Sequence, residues 1–551
     1  MDLKYTLHFS ANGKKQKISS AEKELENKLI KISVSDDGER RIVTVTAKTD
    51  IFLEGYREFD IPHDKADVGY NDKKGNLYFL NGYQSWTDSR EFYCGEREKD
   101  VMRLPSALVK AFAFDRYGDA TSFKYDKDIL HGYDVLYGKG SKEIFVLNAN
   151  VKNAYLIFEI ERKSEIINLY SDIFGKELAV GESFTVIDYY YGGSFEDGEK
   201  LLDKVYPKKQ TKKLFGYTSW YNYYQDINES IILRDLDALD DRFELFQIDD
   251  GYETKIGDWL SVDEKKFPNG LQPIVDKVHS RGFMAGIWLA PFVAEEESEL
   301  FKFHPTWFKK GEDGNPVKCG SNWSGFYALD LENKQVLEYI EKCLKHYVDM
   351  GFDFFKLDFL YAANLPSYKG KTNSMAAEYA YSFLRNVLGD KIILGCGATV
   401  FNCSDKFDYL RIGPDVSLKF DDVWYMKYMH RERISTKVTL QNSIYRSMLG
   451  GRLFGNDPDV FLLRDENIDL SDEQKKSLIT INALFGHLLM TSDDVALYGE
   501  KQKDVLDYAL DLFRNAEVTG FTRRGDIITV SYVIRGHHKT LNYDTRRGIL
   551  S

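Results

Sequence analysis

Cysteine is scarce in this sequence. Among its 551 residues there are five cysteines, Cys94, Cys319, Cys343, Cys396 and Cys403, and no two of them have CxxC spacing. A disulfide framework needs a denser, even-numbered set, and a structural zinc site needs clustered ligands. We therefore expect five free thiols.

Long apolar runs and basic clusters are also lacking. No apolar window approaches the roughly 18 residues of a membrane span, and the first residues show no basic stretch followed by an apolar run. The formal net charge of -13 and the pI of about 5.4 disfavour a nucleic-acid partner, which requires a basic surface. We expect a cytoplasmic protein that binds neither membranes nor nucleic acids.

The overall amino-acid composition is that of a globular protein. Hydrophobic residues make up 43% of the chain and aromatic residues 14%, with many Tyr and Phe. Because single domains usually hold about 100–200 residues, this length predicts two or three domains. An acidic chain of this size favours a neutral small-molecule substrate.

Residues 1–207 have the pattern of an N-terminal β-sandwich domain. Short alternating runs such as 31–35, 42–46 and 184–191 are separated by turn residues, and no long helical period interrupts them before about 195. Residues 207–210, PKKQ, read as a linker. At the other end, residues 498–551 predict a helix over 501–514 followed by a small C-terminal β-domain.

Residues 208–497 alternate between apolar segments and amphipathic stretches, the order that a parallel sheet requires. The helical stretches include 228–241, 271–281, 333–350, 375–388 and 472–487. Eight apolar segments are found, at 215–220, 245–250, 284–288, 352–358, 392–396, 409–411, 453–457 and 488–493. Eight such units predict a (β/α)8 TIM barrel, whose active site lies at the carboxyl ends of the strands.

Carboxylates dominate these strand ends. In chain order the polar and aromatic residues there are Trp220, Asp249, Asp250, Trp288, Lys356, Asp358, Cys396, Arg411, Asp415, Asn456, Asp457, Ser492 and Asp493. Such a rim either binds a metal or performs carboxylate-pair chemistry. The chain contains no HExxH motif and no calcium-loop motif, and no histidine lies near these strand ends, so we expect no metal and no cofactor. The tryptophans favour a sugar, although each could equally be a core residue.

Retaining glycoside cleavage requires one ionised carboxylate and one carboxylic acid about 5–5.5 Å apart. Strand alternation places Lys356 and Asp358 on one side, and an ammonium beside Asp358 would lower the pKa of that carboxyl, as a nucleophile requires. A structural salt bridge is the alternative. Asp415 follows a Gly-Pro turn that would lift it toward the leaving group, and its alternative role is a helix cap.

The adjacent Asp249 and Asp250 can serve together only where the backbone turns. Their favoured role is to accept hydrogen bonds from sugar hydroxyls. The alternatives are metal ligation or a turn cap. Cys396 has no nearby histidine that would make it a nucleophile, so packing or sugar contact is favoured over catalysis.

At this point the motifs match a known family. They are GYTSWY (216–221), FQIDDGY (246–252), GDW (257–259), GIWLAPF (286–292), FKLDFL (355–360), LGCG (394–397) and RIGPD (411–415). In this order the barrel resembles glycoside hydrolase family 36, the α-galactosidases, especially its shorter members. Many members carry Trp where Leu357 and Tyr252 stand here.

The resemblance implies a retaining α-galactosidase that removes terminal α-D-galactosyl residues from oligosaccharides such as melibiose and raffinose. It implies Asp358 as nucleophile and Asp415 as general acid/base. It further implies that Asp249 and Asp250 bind O4 and O6 of galactose, that Lys356 reaches O3, that Arg411 and Cys396 lie around O2 and O3, and that Trp220 and Trp288 line the pocket. Trp86, in NGYQSW (81–86), would reach over the site from the sandwich, or else be a buried sandwich residue.

Other functions remain open at this point. The same barrel could act on α-N-acetylgalactosaminides or favour transfer to another sugar, and a sugar-binding protein without activity is a third reading. An NAD-dependent glycosidase would need GxGxxG after an N-terminal strand, which the sequence lacks. The natural aglycone and the oligomeric state are not indicated by the sequence.

Overall fold

The structure is a computed structural model that describes residues 3–61, 64–65, 75–98, 105–116, 118–119, 123–365, 370–421 and 433–551. Within these ranges no helix is both long and apolar enough to cross a membrane. All five cysteines lie in the described part, and each is buried and free, as their spacing predicts.

The N-terminal region is built from antiparallel strands. In chain order these are β1 (Tyr5–Ala11), β2 (Lys14–Ser20), β3 (Glu24–Glu26), β4 (Ile30–Asp36), β5 (Arg40–Ala47), β6 (Ile51–Glu58), β7 (Asp64–Lys65), β8 (Leu77–Leu80), β9 (Arg90–Tyr93), β10 (Ile129–Tyr133), β11 (Val135–Lys139), β12 (Lys142–Asn148), β13 (Tyr155–Glu161), β14 (Ile167–Asp172), β15 (Glu177–Leu178) and β16 (Ser183–Gly192). Helix α1 (Ser106–Ala111) lies between β9 and β10, and α2 (Phe195–Val205) follows β16.

These strands form two sheets that enclose an apolar core. One sheet has the order β10-β13-β14-β6-β1-β2, and the other β3-β4-β5-β16-β12-β11-β8-β9. Alternate residues such as Leu7, Val45 and Leu53 point into the core between them and are fully buried. The two-residue alternation visible in the sequence thus arises from strands with one buried face.

The central region alternates strands with helices. Its elements are β17 (Leu214–Thr218), α3 (Trp220–Tyr223), α4 (Glu229–Ala238), β18 (Leu245–Ile248), α5 (Gln272–Ser280), β19 (Met284–Leu289), β20 (Val293–Glu295), α6 (Glu299–Phe303), β21 (Lys318–Gly320), β22 (Phe326–Ala328), α7 (Lys334–Met350), β23 (Phe354–Leu357), α8 (Asn373–Leu388), β24 (Ile392–Gly395), β25 (Tyr409–Arg411), α9 (Thr436–Tyr445), β26 (Gly455–Asp457), β27 (Val460–Phe461), α10 (Asp472–Phe485) and β28 (Leu488–Thr491). All eight apolar segments predicted from the sequence overlap one of these strands.

The central sheet is parallel throughout. Its order is β26-β25-β24-β23-β19-β18-β17-β28-β27. The two strands at its ends, β26 and β27, are separated along the chain only by Pro458 and Asp459, so one short segment borders both ends of the sheet. This arrangement is compatible with the predicted TIM barrel.

Local sequence signals explain where the helices begin and end. Asn228 and Ser471 accept hydrogen bonds from backbone amides in the first turns of α4 and α10, and Ser471 forms a capping box with Gln474. Helix α7 ends at Gly351, whose φ of 105° is a left-handed conformation that favours glycine. Helix α9 was not predicted, because it is buried on every side and shows no amphipathic period.

The C-terminal region consists of one helix and a small antiparallel sheet. Helix α11 (Glu500–Asn515) is followed by β29 (Ala516–Arg524), β30 (Ile527–Ile534), β31 (His537–Asp544) and β32 (Ile549–Leu550). The sheet buries Ile528, Val530 and Tyr543 in the same core as the barrel helices.

Candidate active site

A cavity of about 340 Å³ opens at the carboxyl ends of the central strands. Its lining is Trp86, Trp220, Gln225, Asp249, Asp250, Trp288, Asn322, Trp323, Phe326, Lys356, Asp358, Phe359, Pro414, Asp415, Arg433 and Ile434. Eight of the ten residues predicted for the site are in this lining. The other two, Cys396 and Arg411, are buried behind it.

Asp358 follows β23 and is held in one orientation. Its Oδ2 accepts a hydrogen bond from Trp288 Nε1 at 3.1 Å, and its Oδ1 accepts one from the backbone amide of Phe359 at 2.8 Å. Phe359 adopts a left-handed backbone conformation, with φ of 55°, which is costly for a bulky residue. The turn after β23 is therefore strained at the residue whose amide binds Asp358.

Lys356 acts on the pKa of Asp358 in the predicted direction, but the predicted net lowering of that pKa is wrong because burial outweighs Lys356. Burial raises the pKa of Asp358, Lys356 lowers it and Asp415 raises it, with a net rise. The ammonium of Lys356 instead lies 2.8 Å from Asp249 Oδ2, an ion pair that is almost fully buried. Strand alternation correctly places Lys356 and Asp358 on the same side, but it does not reveal that Lys356 pairs across to β18.

Asp249 is surrounded by donors. Its Oδ2 accepts hydrogen bonds from Gln247 Nε2 at 2.7 Å and Thr218 Oγ1 at 3.2 Å in addition to Lys356, and its Oδ1 accepts one from the amide of Asp250 at 3.0 Å. Burial alone would lower the pKa of Lys356, but the adjacent Asp249 raises it above its usual value. Lys356 thus stays charged in a buried position.

Asp250 is hydrogen-bonded to a neighbouring carboxyl, that of Glu253. Burial raises the pKa of Asp250, while hydrogen bonds from Glu253, Gln225 and Trp323 lower it. Burial, together with the charge of Asp250, raises the pKa of Glu253 well above its usual value. Trp323 Nε1 donates to Asp250 Oδ2 at 3.0 Å, which aims the carboxylate from the cavity wall.

Asp415 lies at the more open side of the cavity, with about a third of its side chain exposed. Its Oδ1 accepts a hydrogen bond from Arg411 Nη1 at 2.9 Å. The alternative role of Asp415 as a helix cap is excluded for α9, because Ser435 caps that helix. Asp358 and Asp415 therefore differ in exposure, one enclosed and one accessible to solvent.

Aromatic rings form a continuous wall on one side of the cavity. Trp323 packs against Trp288 with ring centroids 6.3 Å apart and against Phe359 at 5.2 Å, and Trp86 packs against Phe359 at 5.5 Å. Trp86 Nε1 donates to Cys396 Sγ at 3.2 Å, so Cys396 contacts the wall from behind. A cavity lined by both carboxylates and aromatic rings suits a sugar, because hydroxyls bond to the carboxylates and the apolar sugar face packs on the rings.

Several lining residues were not predicted from the sequence. Asn322, Trp323 and Phe326 belong to the excursion that contains β20 to β22, whose three-residue strands are too short to leave an alternation pattern. Gln225 and Arg433 lie in loops. A tryptophan between small polar residues, as in GSNWSG at 320–325, was the one signal that could have identified Trp323.

The arrangement can perform carboxylate-pair chemistry on a polar neutral ligand. In the part of the chain that the structure describes, no group of three or more His, Cys, Asp or Glu side chains is arranged to hold a metal ion. Two carboxyls line one cavity, and the charge of Asp415 acts on the pKa of Asp358. A nucleophile and an acid/base must likewise share one cavity.

Comparisons with known proteins agree with the resemblance seen in the sequence. The Melibiase family model matches residues 199–389. The α-galactosidase Mel36A of Lactobacillus acidophilus is 32% identical over 164 residues, which is 27% of this chain and 22% of that protein. The bifunctional α-galactosidase/sucrose kinase AgaSK of Mediterraneibacter gnavus is 26% identical over 303 residues, 49% of this chain and 31% of that protein. The matches thus span less than a third of these relatives.

A solved structure is similar over nearly the whole chain. The α-galactosidase TtGalA of Thermus thermophilus, in complex with p-nitrophenyl α-D-galactopyranoside, superposes with a TM-score of 0.70 and 24% identity, covering 94% of this chain and 98% of that one. The predicted resemblance to glycoside hydrolase family 36 is therefore confirmed, and the fold is that of α-galactosidases.

Proposed function

We propose that this chain is a retaining α-galactosidase that hydrolyses terminal α-D-galactosyl residues of oligosaccharides such as melibiose and raffinose. The observation that carries the proposal is the joint presence of Asp358, Asp415 and the Lys356–Asp249 ion pair in the lining of one cavity. The similarity to α-galactosidases is the reason for proposing galactose as the sugar.

In this proposal Asp358 is the nucleophile. Its two oxygens are fixed by Trp288 and Phe359, so the carboxylate is oriented before substrate binds. An oxygen of Asp358 attacks the anomeric carbon while the glycosidic bond breaks, forming a covalent galactosyl-enzyme. The raised pKa of Asp358 sets the acid limit of activity. The nucleophile must be ionised, and its ionised form is lost as the pH falls through the pKa of Asp358.

Asp415 is the proposed general acid/base. It donates its proton to the departing oxygen in the first step, and in the second step it takes a proton from the water that cleaves the galactosyl-enzyme. Its partial exposure supports this role, because both the leaving group and the water must reach it.

The remaining predicted residues are proposed to bind the sugar. Asp249 and Asp250 accept hydrogen bonds from O4 and O6, Lys356 donates to O3, and Trp86, Trp220 and Trp288 surround the ring. Cys396 and Arg411, predicted around O2 and O3, stay predictions as direct contacts, because neither is part of the cavity lining. Their hydrogen-bond partners include Trp86 and Asp415, which do line the cavity.

The division of the chain is also proposed. We assign 1–207 to a β-sandwich domain, 208–497 to a closed (β/α)8 catalytic barrel and 498–551 to a helix with a small β-domain. The antiparallel sheets before residue 193 and the parallel sheet after residue 213 support these boundaries. The cytoplasmic location stays a prediction, and the oligomeric state is to be measured.

The proposal is tested by hydrolysis of p-nitrophenyl α-D-galactoside, α-N-acetylgalactosaminide and α-glucoside by the wild type and by Asp358→Ala. We expect cleavage of the galactoside alone, with kcat/KM lowered on the order of 10⁴-fold or more by the substitution. Cleavage of the α-N-acetylgalactosaminide instead would reassign the sugar. Faster transfer to an added sugar than to water would indicate a transglycosylase. Binding of galactose without cleavage of any substrate would indicate a sugar-binding protein.

A further inference from the structure

Part of the cavity lining has no role in the proposed binding of galactose. Pro414 directly precedes Asp415 in the chain, and the amide of Ser435 donates to the carbonyl oxygen of Asp415 at 3.0 Å. Arg433 and Ile434, which also line the cavity, come immediately before Ser435. Pro414, Arg433 and Ile434 therefore lie on the side of the cavity where Asp415 lies.

The proposed role of Asp415 decides which part of the substrate these three residues face. A general acid must lie within hydrogen-bond reach of the oxygen that it protonates, and in this reaction that oxygen belongs to the leaving group. Asp415 is also the more exposed of the two catalytic carboxyls, as an entrance for the rest of an oligosaccharide requires. The side of the cavity with Asp415 is thus the side of the leaving group.

Arg433 is held in place by a carboxylate. Its Nη2 donates to Asp421 Oδ1, and the hydroxyl of Ser435 donates to the same oxygen at 2.8 Å. Ser435 caps α9, so Asp421 fastens the guanidinium to the first turn of that helix. The side chain of Arg433 is 16% exposed and reaches the cavity. A charged group is thus fixed beside the proposed acid/base.

The charges around the cavity favour an uncharged leaving group. In the described part of the chain, four aspartates but only two cations, Lys356 and Arg433, line the cavity. Lys356 is paired with Asp249, and Arg433 is paired with Asp421. An anionic leaving group would have to approach an excess of carboxylates. Sugar hydroxyls can accept hydrogen bonds from the guanidinium without that repulsion.

We propose that Arg433 is a specificity-determining residue that selects a sugar as the leaving group, by donating hydrogen bonds from its guanidinium to the hydroxyls of that sugar. This inference rests on the proposed function and on the role of Asp415 in it. A guanidinium has five N–H donors in one plane, a geometry that suits neighbouring hydroxyls on a ring. Pro414 and Ile434 provide apolar surface on which the carbons of the same sugar pack.

The test compares two galactosides that both need a proton from Asp415. The leaving group of melibiose is glucose, which has several hydroxyls, and that of methyl α-D-galactoside is methanol, which offers only the departing oxygen. An effect of Arg433 on the acid/base would change the hydrolysis of both substrates alike. The ratio of kcat/KM on melibiose to kcat/KM on methyl α-D-galactoside therefore measures recognition of the leaving sugar.

Two substitutions grade the loss of donors. Arg433→Met removes all of them and keeps most of the length of the side chain. We expect the ratio to fall about tenfold, the size typical for loss of a hydrogen bond from a charged donor. Arg433→Lys keeps the charge and restores one donor group, but without the planar geometry, so the ratio should fall by less than in Arg433→Met.

A matched control exists at Arg385. This arginine, on α8, is 22% exposed, and its Nη2 donates to Asp408 Oδ2 at 2.6 Å, but it does not line the cavity. Arg385→Met makes the same chemical change and should keep the ratio of the wild type. A fall in the ratio as large as that in Arg433→Met would overturn the inference.

The remaining outcomes separate the inference from the proposed function. A wild-type ratio in both Arg433 variants overturns the inference while the proposed function stands. An equal loss on both substrates also overturns it, because Arg433 would then act through Asp415. If Arg433→Met does not fold, Arg433→Lys decides, and its ratio must lie below that of the wild type. If the wild type hydrolyses neither substrate nor p-nitrophenyl α-D-galactoside, the proposed function fails and the inference fails with it.

Discussion

At the scale of single residues, the two proposed catalytic carboxyls are distinguished by their surroundings. Asp358 is enclosed and receives hydrogen bonds from Trp288 and Phe359 on both of its oxygens. Asp415 is partly exposed and has Arg411 as its charged partner. An enclosed, fixed carboxylate suits attack on carbon, and an accessible carboxyl suits exchange of a proton with a leaving group and water.

This difference predicts how the loss of activity caused by each substitution depends on the leaving group of the substrate. Asp358→Ala should abolish activity on every galactoside, because every substrate needs the nucleophile. Asp415→Ala should lower kcat/KM by about 10²–10⁴-fold on melibiose, but far less on an aryl galactoside with a very acidic phenol, whose departure needs no proton. Initial rates on both substrates measure the difference. Equal losses for the two variants on the acidic aryl galactoside would contradict the assigned roles.

Sequence reasoning identified most of the charged lining because strand alternation fixes which residues point into a barrel mouth. It missed Trp323 and Gln225, since a loop has no period from which a direction can be read. It did not reveal that Lys356 also pairs with Asp249, because that 2.8 Å contact joins two strands that are far apart in sequence, nor that burial would outweigh the effect of Lys356 on the pKa of Asp358.

At the scale of elements, α9 connects the loop that carries Trp86 to the loop that carries Asp415. Arg446, immediately after α9, is fully buried and donates to the carbonyl oxygens of Ser85 at 2.7 Å, Gln84 at 3.0 Å and Ile412 at 2.9 Å. One guanidinium therefore fixes the positions of two loops that line the cavity.

Arg446→Lys keeps the charge but loses the planar fork of donors, so both loops lose hydrogen bonds. We expect KM for p-nitrophenyl α-D-galactoside to rise about tenfold, equivalent to about 1.4 kcal/mol, together with a lower Tm. The control is Arg41→Lys, at a buried arginine of the sandwich that pairs with Glu58. It should lower the Tm and leave KM unchanged. An unchanged KM in Arg446→Lys would mean that Arg446 only stabilises the fold.

The elements themselves were predictable to different degrees. Eight of the nine parallel strands were found because each is a short apolar run and most are followed by an amphipathic helix. Helix α9 and the strands β20 to β22 were not found, because the former is buried on all sides and the latter have only three residues each. The C-terminal sheet was indicated by the single run at 526–533, and its partners β29 and β31 alternate more weakly.

At the scale of the whole molecule, the cavity depends on regions far apart in the sequence. The loop before β9 contacts the central region through a hydrogen bond from the amide of Ser85 to the carbonyl of Ala398 at 2.9 Å, and its Trp86 lines the cavity. The C-terminal sheet contacts the sandwich, where Arg523 Nη2 donates to Glu96 Oε1 at 2.9 Å. The sandwich thus contributes directly to the cavity and is itself contacted from the C-terminal side.

The most direct measurement is the mass of the enzyme after reaction with 5-fluoro-α-D-galactosyl fluoride. Its fluoride leaves without a proton, and the second fluorine slows hydrolysis of the intermediate, so a retaining enzyme accumulates its covalent form. We predict a mass increase of one fluorogalactosyl group, located by peptide mapping on Asp358 and absent in Asp358→Ala. A label on another residue, or release of fluoride with the β-anomer as first product and no label, would contradict the assignment.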